Sequence, residues 1–413
     1  MLNIFNTLTN RFEVFKPFED SKVKMYSCGP SVYQPPHIGN YRTFLFEDVV
    51  QRYLEYLGYR VTRLMTLTDV EEKALVEAKK SNVALGHLTR QNEVLLFRDF
   101  EFLKIKIPDQ AVRASTVIDQ AAMLTESLVA KGYAYWHEHE GEKNAYFDPL
   151  RFKGFGKLAK LDMSRWPRKR RRFHKDTYPG TPWNRGDFIL WQGCKKGEAC
   201  WETAVGRGRP AWNIQDAAIV TKHLGFSVDV AAGGVDNLVR HHDYTLAVAE
   251  AVSGKQFAKY WLHGAHLLVD GKKMSKSRGN VYYPKDLAAK GYGGAHVRFF
   301  LIYGHYRKSK NFTFEELAET SKKLELLRKR VRGLVGAKSG GPSGKEKDVA
   351  QSILTGFEAN MNRDLDVKGA FDHVFEEVSS LDKLKQEGKI TPEDAAGAVT
   401  ALEQVDRVLR VVF

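Results

Sequence analysis

Cysteine is scarce in this chain, with 3 among 413 residues, at Cys28, Cys194 and Cys200. An odd, small number in a long chain argues against a disulfide framework and for a reducing compartment. Long hydrophobic runs are missing as well. No stretch approaches the ~20 uninterrupted apolar residues that a membrane span requires, and the opening MLNIFNTLTNRFEVFKP lacks the basic-then-apolar layout of a secretory leader. The expected location is the cytoplasm. Acidic residues are in deficit: 64 Lys and Arg stand against 50 Asp and Glu, a net charge of +14. Such an excess favours a polyanionic partner, because each neutralised phosphate releases counterions. Composition alone equally fits solubility through like-charge repulsion.

What is present is enough apolar material, 43% of the chain, for a sizeable core, and 413 residues exceed one ordinary domain. KVKMYSCG (22–29) alternates and is rich in β-formers, so it reads as a strand entering a turn. Phe44, Val49, Tyr53, Leu54 and Leu57 then recur at helical spacing, and Gly58 stands where a helix ends. RVTRLMTLTD reads as a second strand. This strand–helix–strand unit opens an α/β parallel sheet of Rossmann-like type. Residues 71–131 read as helical, with strand-like pieces at YAYWHEHEGEKNAYFD, DFILWQG and FSVDVAAGG. Helical character returns from Phe314, interrupted by a Gly/Ser/Pro-rich linker at 336–347. The expected organisation is a catalytic domain in two halves, 1–108 and 210–304, a connective insertion at 109–209, and a helical C-terminal domain at 305–413.

Two segments carry phosphate chemistry. His37-Ile38-Gly39-Asn40 lies between a strand and a helix, where free N–H groups and a partial positive charge suit phosphate. Gly39 lets a flat base or a phosphate approach the backbone, and His37 and Asn40 can donate to phosphate oxygens. Alone, the run reads equally well as a helix start with a polar cap. Far downstream, Lys273-Met274-Ser275-Lys276-Ser277 forms a cationic clamp of the kind a leaving pyrophosphate needs.

The pair resembles the His-Ile-Gly-His/Asn and Lys-Met-Ser-Lys-Ser motifs of class I aminoacyl-tRNA synthetases. MYSCGPSVYQPPHIGNYRT, LTDVEEK, GRGRPAWNI, HYRKSKNFTFEEL and NMNRDLDVKGAF resemble successive blocks of cysteinyl-tRNA synthetases, in order and over nearly the whole chain. The resemblance implies ATP with Mg2+, an aminoacyl-adenylate and transfer to tRNA. It gives His37, Asn40, Lys273 and Lys276 catalytic roles, and sets Gly39, Gly233, Gly234, Asp236, Ser275 and Ser277 on the nucleotide. Cys28, Gly29, Thr68, Trp212, Asp216 and Ala231 fall around the amino acid.

That family also holds a zinc ion, and its four ligand positions here read Cys28, Asp216, His241 and Thr245. Threonine is a poor ligand, and a carboxylate in place of a thiolate weakens a soft site. Either Cys28, Asp216 and His241 form a three-ligand site completed by water, or they are packed remnants. Ala231 stands where the family has a pocket-lining histidine. The nucleotide side thus matches the pattern while the side-chain side departs from it, and a different amino acid, such as a cationic one facing Asp216, stays open. Cys194 and Cys200 could form a second metal pair only with further ligands.

For the acceptor, the charge and the basic-aromatic stretch Arg165 to Lys175 favour tRNA, held near its acceptor end by a monomer. A small amine acceptor, as in mycothiol-type cysteine ligases, and a non-catalytic RNA-binding paralog are the alternatives. The expected absence of an anticodon-reading module beyond Phe413 bears on the same choice. Lys276→Ala is expected to cut adenylate formation more than ATP binding, since the charge it meets develops only in the transition state; equal loss in a pyrophosphate-exchange assay and an ATP titration would remove that role.

Overall fold

The computed structural model describes residues 1–139, 141–166, 186–194, 197–274, 278–335 and 346–413. At its centre is a five-stranded parallel sheet in the spatial order Ala258–Gly264, Val228–Gly234, Lys22–Ser27, Arg60–Leu67, Gln110–Arg113. The strands are apolar on both faces, as a sheet covered by helices on each side requires. Alternate residues enter two different cores. Val23, Met25, Met65, Ala232 and Leu262 pack with helix Ile38–Tyr56 and the C-terminal helices. Tyr26, Leu64, Ala231 and Trp261 face the opposite core, with helices Ile118–Ala130, Trp212–His223 and Asp243–Ser253.

The α/β class read from the sequence is the class observed. One difference lies within 71–131, where helices Glu72–Lys80, Leu85–Phe102 and Ile118–Ala130 are broken by the edge strand Gln110–Arg113. That strand is short and carries no periodic signal; its pairing with Leu64–Leu67 creates it. Between helix Ile118–Ala130 and helix Trp212–His223 stands a four-stranded antiparallel sheet, Ala134–His139, Glu142–Phe147, Phe188–Gln192 and Arg209–Pro210. Beside it Cys194 and Cys200, with Cα atoms 6.0 Å apart, are joined in a disulfide. This corrects the expectation drawn from the cysteine count, which argued against disulfides, and the metal-pair alternative: the Trp201–Gly208 bridge folds the chain back and brings both within bonding reach. The stretch Arg165 to Lys175 beyond Trp166, the residues Ser275, Lys276 and Ser277, and positions 336–345 of the linker lie outside the described residues. No helix among the described residues is long and apolar enough to cross a membrane.

The C-terminal helices Phe314–Leu334, Glu346–Met361, Val367–Gln386 and Pro392–Leu409 share one continuous core with the sheet, from Leu2 to Val412. A buried ion pair ties the two parts. Arg298 and Asp48 are both fully buried, 2.6 Å apart. Arg298 also donates to the carbonyls of Leu409 at 2.6 Å and Lys104 at 3.0 Å. Asp48 accepts from Arg52 at 2.9 Å and from the Lys106 N–H at 2.7 Å. Burial pushes the Asp48 carboxyl up, but Arg298, Arg52 and Arg63 outweigh it and hold it below the usual range. Arg42 does the same for the far end of the sheet, donating to the carbonyls of Ala265, Leu301, His305 and Lys308.

Removing one partner of a buried pair strands the other charge. Asp48→Asn is therefore expected to cost about 3–5 kcal/mol of stability in denaturant unfolding at neutral pH. Because its folded-state pKa is depressed, the contribution of Asp48 is complete above the unfolded value of about 3.9 and is lost as pH falls through the folded one. The gap between wild type and Asp48→Asn should therefore narrow in strong acid and stay constant from pH 5 to 8. A gap that widens in acid would contradict the assignment.

Candidate active site

In the central sheet the connections run one way from Lys22–Ser27 through Arg60–Leu67 to Gln110–Arg113, and the other way through Val228–Gly234 to Ala258–Gly264. The strand order reverses between Lys22–Ser27 and Val228–Gly234, and the crevice outside the carboxyl ends of strands at such a point is where open α/β sheets bind ligands. Cys28 sits at that point, its N–H donating to the Ala232 carbonyl at 3.0 Å. Gly29, Thr68, Gly233 and Gly234 lie at the same ends.

The early phosphate segment is built by a reciprocal cap. His37 Nδ1 accepts from the Asn40 N–H at 3.3 Å, and Asn40 Oδ1 accepts from the His37 N–H at 3.0 Å. The polar-cap reading of this run is the one the geometry displays. Because Nδ1 accepts, a neutral ring must carry its proton on Nε2, which makes that nitrogen the donor. The Asn40 carbonyl oxygen being used, its amide NH2 is the group left to donate. A Cβ on Gly39 would come within 3.0 Å of the His37 ring and 3.8 Å of Met274 Cε, so glycine here lets the imidazole fold over its own helix end.

The late segment closes on the same turn. Leu267–Val269 pairs with Lys272–Lys273, and Met274 is buried against Gly39. Past the segment outside the described residues, Tyr282 accepts at its carbonyl from the Ile38 N–H at 2.9 Å. Lys273 is exposed, and its carbonyl accepts from Arg278 at 3.2 Å.

The side-chain half is a buried polar cluster. Trp212 and Asp216, four apart on helix Trp212–His223, share one face. His241 Nε2 lies 3.0 Å from Asp216 Oδ2 and 3.2 Å from Cys28 Sγ. Tyr26 donates its hydroxyl to Asp216, and Asn237 donates to Cys28 Sγ at 3.3 Å. Gly29 donates its N–H to Thr66 Oγ1 at 3.2 Å. The Trp212 ring lies 5.4 Å from His241 and covers it. Burial pushes the Cys28 thiol well up, with Asp216 and Glu47 adding to it. Burial acts upward on Asp216 too, but His241, Tyr26 and Thr66 hold its carboxyl below the usual range.

The expected residues separate as follows. Cys28, Asp216, His241 and Trp212 come together. Gly29 and Gly233 shape the floor: a Cβ on Gly29 would meet the Thr66 carbonyl, and one on Gly233 would meet the His242 ring at 2.5 Å. A Cβ on Gly234 would meet Asp236 Oδ1 at 2.5 Å, so Asp236 folds back over the strand end. Thr68 acts through its backbone, exchanging bonds with Pro30 and Val32, while Thr66 supplies the side chain. Ala231 is fully buried opposite Tyr26. Thr245 is buried with no hydrogen-bond partner for its hydroxyl among the described residues. Tyr26, Thr66, Asn237, His242 and His263 were not singled out by the sequence. Only His242 carried a signal, its adjacency to His241.

Cys28, His241 and His242 each bring a donor atom within 4.8 Å of the others, so soft and borderline donors suited to zinc converge here. His242 Nδ1 lies 2.8 Å from His263 Nε2, and His263 Nδ1 lies 2.9 Å from Thr7 Oγ1. Burial, then His263 and His241, push the His242 imidazole well below the ordinary range, and burial pushes His263 down to about 3, so both rings are neutral.

A family model described as the tRNA synthetases class I (C) catalytic domain matches residues 14–322. The cysteine–tRNA ligase of Chlamydia pneumoniae is 37% identical over 416 aligned positions, spanning 100% of this chain and 86% of its own length. That of Koribacter versatilis is 34% identical, spanning 100% of this chain and 82% of its own. Among solved structures, a Mycobacterium tuberculosis methionyl-tRNA synthetase in complex with methionyl-adenylate superposes with a TM-score of 0.67 at 15% identity, covering 95% of this chain and 90% of its own. An Agrobacterium radiobacter K84 LeuRS–tRNA–LeuAMS ternary complex gives 0.68 at 11% identity, covering 96% and 85%.

The cap and the donor roles of His37 can be pulled apart. Asparagine is as good a cap as any residue, so His37→Asn should stay within about 0.5 kcal/mol of wild-type stability. Loss of a hydrogen bond to a charged oxygen should lower ATP affinity about tenfold in titration calorimetry. Unchanged affinity would reduce His37 to a capping residue.

Proposed function

The chain belongs to the cysteine–tRNA ligase family of class I synthetases, and from that membership we propose that it activates cysteine with ATP and esterifies it to tRNA in the cytoplasm. ATP-dependent aminoacylation of tRNA is its reaction class. The observation that carries the reading is the meeting of the two phosphate segments: the Ile38 N–H bonds to Tyr282, and Met274 packs on Gly39, beside the reversal point where Cys28 forms the pocket floor.

No side-chain nucleophile is required. A carboxylate oxygen of the amino acid attacks the α-phosphorus of Mg2+-bound ATP, the bond to the β-phosphate bridging oxygen breaks, and pyrophosphate leaves. A terminal ribose hydroxyl of tRNA then attacks the carbonyl, loses its proton, and AMP leaves. Catalysis is positioning and charge stabilisation. His37 Nε2–H and the Asn40 amide hold phosphate oxygens, and Lys273 and Lys276 meet the charge on the leaving pyrophosphate. Asp236, Gly233 and Gly234 support the ribose side. We read residues 1–108 and 210–304 as the halves of this catalytic domain, and assign the basic stretch Arg165 to Lys175 to the acceptor end of tRNA.

Cysteine is favoured over a cationic substrate because Asp216 is already engaged by Tyr26 and His241. A carboxylate already paired in this way offers little to a lysine or arginine side chain. The family's zinc fits the donors present: Cys28 and His241 lie together where it would be held, with Asp216 beside them. When bound, zinc supplies a soft Lewis acid for a substrate sulphur, a discrimination against serine that shape alone would limit to about 1–3 kcal/mol.

Pyrophosphate exchange against all twenty amino acids tests the reading. Exchange dependent on cysteine, and tRNA charging whose binding weakens steeply with salt, are the expected results. Exchange without tRNA affinity would transfer the activity to a small acceptor. Absence of exchange with any amino acid would leave an RNA-binding protein.

A further inference from the structure

Adjacent residues of a regular helix point about 100° apart and do not face one site. His241 and His242 do. The segment Leu238–His242 that delivers them is a kinked π-type turn in which Val239 is extended and Arg240 adopts φ +73. A left-handed backbone at a non-glycine residue is strained and persists where surrounding structure enforces it. Here the kink brings both imidazoles to Cys28.

His242 is fully buried, and its Nε2 has no hydrogen-bond partner among the described residues. An imidazole nitrogen left unpaired in a core is costly unless a ligand completes it. Its other nitrogen is fixed. In the tautomer where His263 Nδ1–H donates to Thr7 Oγ1, His263 Nε2 accepts from His242 Nδ1–H and His242 Nε2 presents a lone pair, the form that a bound cation selects. This is the orientation that outer partners impose on a metal-bound histidine. The ring fits only because position 233 is glycine; a Cβ there would lie 2.9 Å from that Nε2 and 3.3 Å from Cys28 Cβ. The N–H···S bond from Asn237 steadies the Cys28 sulphur from the other side.

We propose that Cys28 Sγ, His241 Nε2 and His242 Nε2 bind one zinc ion, with His242 entering the ligand set in place of the family position occupied here by Thr245. The fourth coordination position is open to an exchangeable ligand, and Asp216 borders it. The ligand set thus keeps two of the family's positions, Cys28 and His241, and replaces that of Thr245 by His242 three residues earlier, with His263 and Thr7 as outer support. The assignment does not depend on which amino acid or acceptor is used.

The test uses the full chain, stripped with chelator and reloaded with zinc. One equivalent of zinc by mass spectrometry is expected. X-ray absorption should show one sulphur at about 2.3 Å and two imidazole nitrogens at about 2.0–2.1 Å. His242→Gln should abolish stoichiometric binding, His263→Asn should weaken it about tenfold or more, and Thr245→Val should leave it unchanged. ATP affinity, measured on the same samples, should be the same with and without zinc, which separates failure of the metal site from failure of the nucleotide site. Should His242→Gln not fold, the absorption spectrum of the wild type decides alone. A chain that takes up no zinc, a shell with a single imidazole, or metal lost in Thr245→Val but kept in His242→Gln would each overturn the assignment.

Discussion

The pairing of Lys22–Ser27 with Val228–Gly234 is the contact on which the rest of the molecule depends. It joins strands about 200 residues apart in sequence, in register from Met25 with Val230 to Ser27 with Ala232, and ends in the bond from the Cys28 N–H to the Ala232 carbonyl. Parallel strands cannot be joined by a tight turn, so the intervening chain must leave the sheet and return. In doing so it forms helix Ile38–Tyr56 on one face, helices Ile118–Ala130 and Trp212–His223 on the other, and the antiparallel insertion. The reversal of strand order at this pair opens the crevice that both halves of the site share.

Glycine marks where that pairing forces side chains to interpenetrate. At position 39 the neighbour is an imidazole folded over its own helix terminus, at 233 it is His242, and at 29 it is the backbone of the adjacent strand. In each case the missing Cβ is replaced by a functional or supporting group from elsewhere in the chain.

Two buried arginines fix the remaining geometry. Arg298 joins Asp48 to the carbonyls at the end of the last helix, and Arg42 gathers four carbonyls from the segments following the sheet. Buried pairs contribute little net stability compared with apolar packing, but breaking them is costly. Arg298 holds the end of helix Pro392–Leu409 against helix Ile38–Tyr56, which His37 caps, and Arg42 holds that helix to the segments at Ala265 and 301–308.

The α/β class, the helix start at His37 and the residues of both phosphate segments were legible in the sequence because they are local: strand alternation, a 3.6-residue period and short motifs need no distant partner. Cys28, Asp216 and His241 were legible only through family resemblance, and their convergence within about 3 Å is a product of tertiary structure. The edge strand Gln110–Arg113, the Cys194–Cys200 bond and the supporting residues Tyr26, Thr66, Asn237 and His263 were not legible at all. Each acquires its role from a neighbour dozens to hundreds of residues away, or from a turn whose path the sequence does not state. His242 shows the division most clearly: the sequence placed two histidines side by side, where a regular helix would send one away. Only the kink at Arg240, enforced by packing against Gly233, Trp261 and His263, turned both toward the same sulphur.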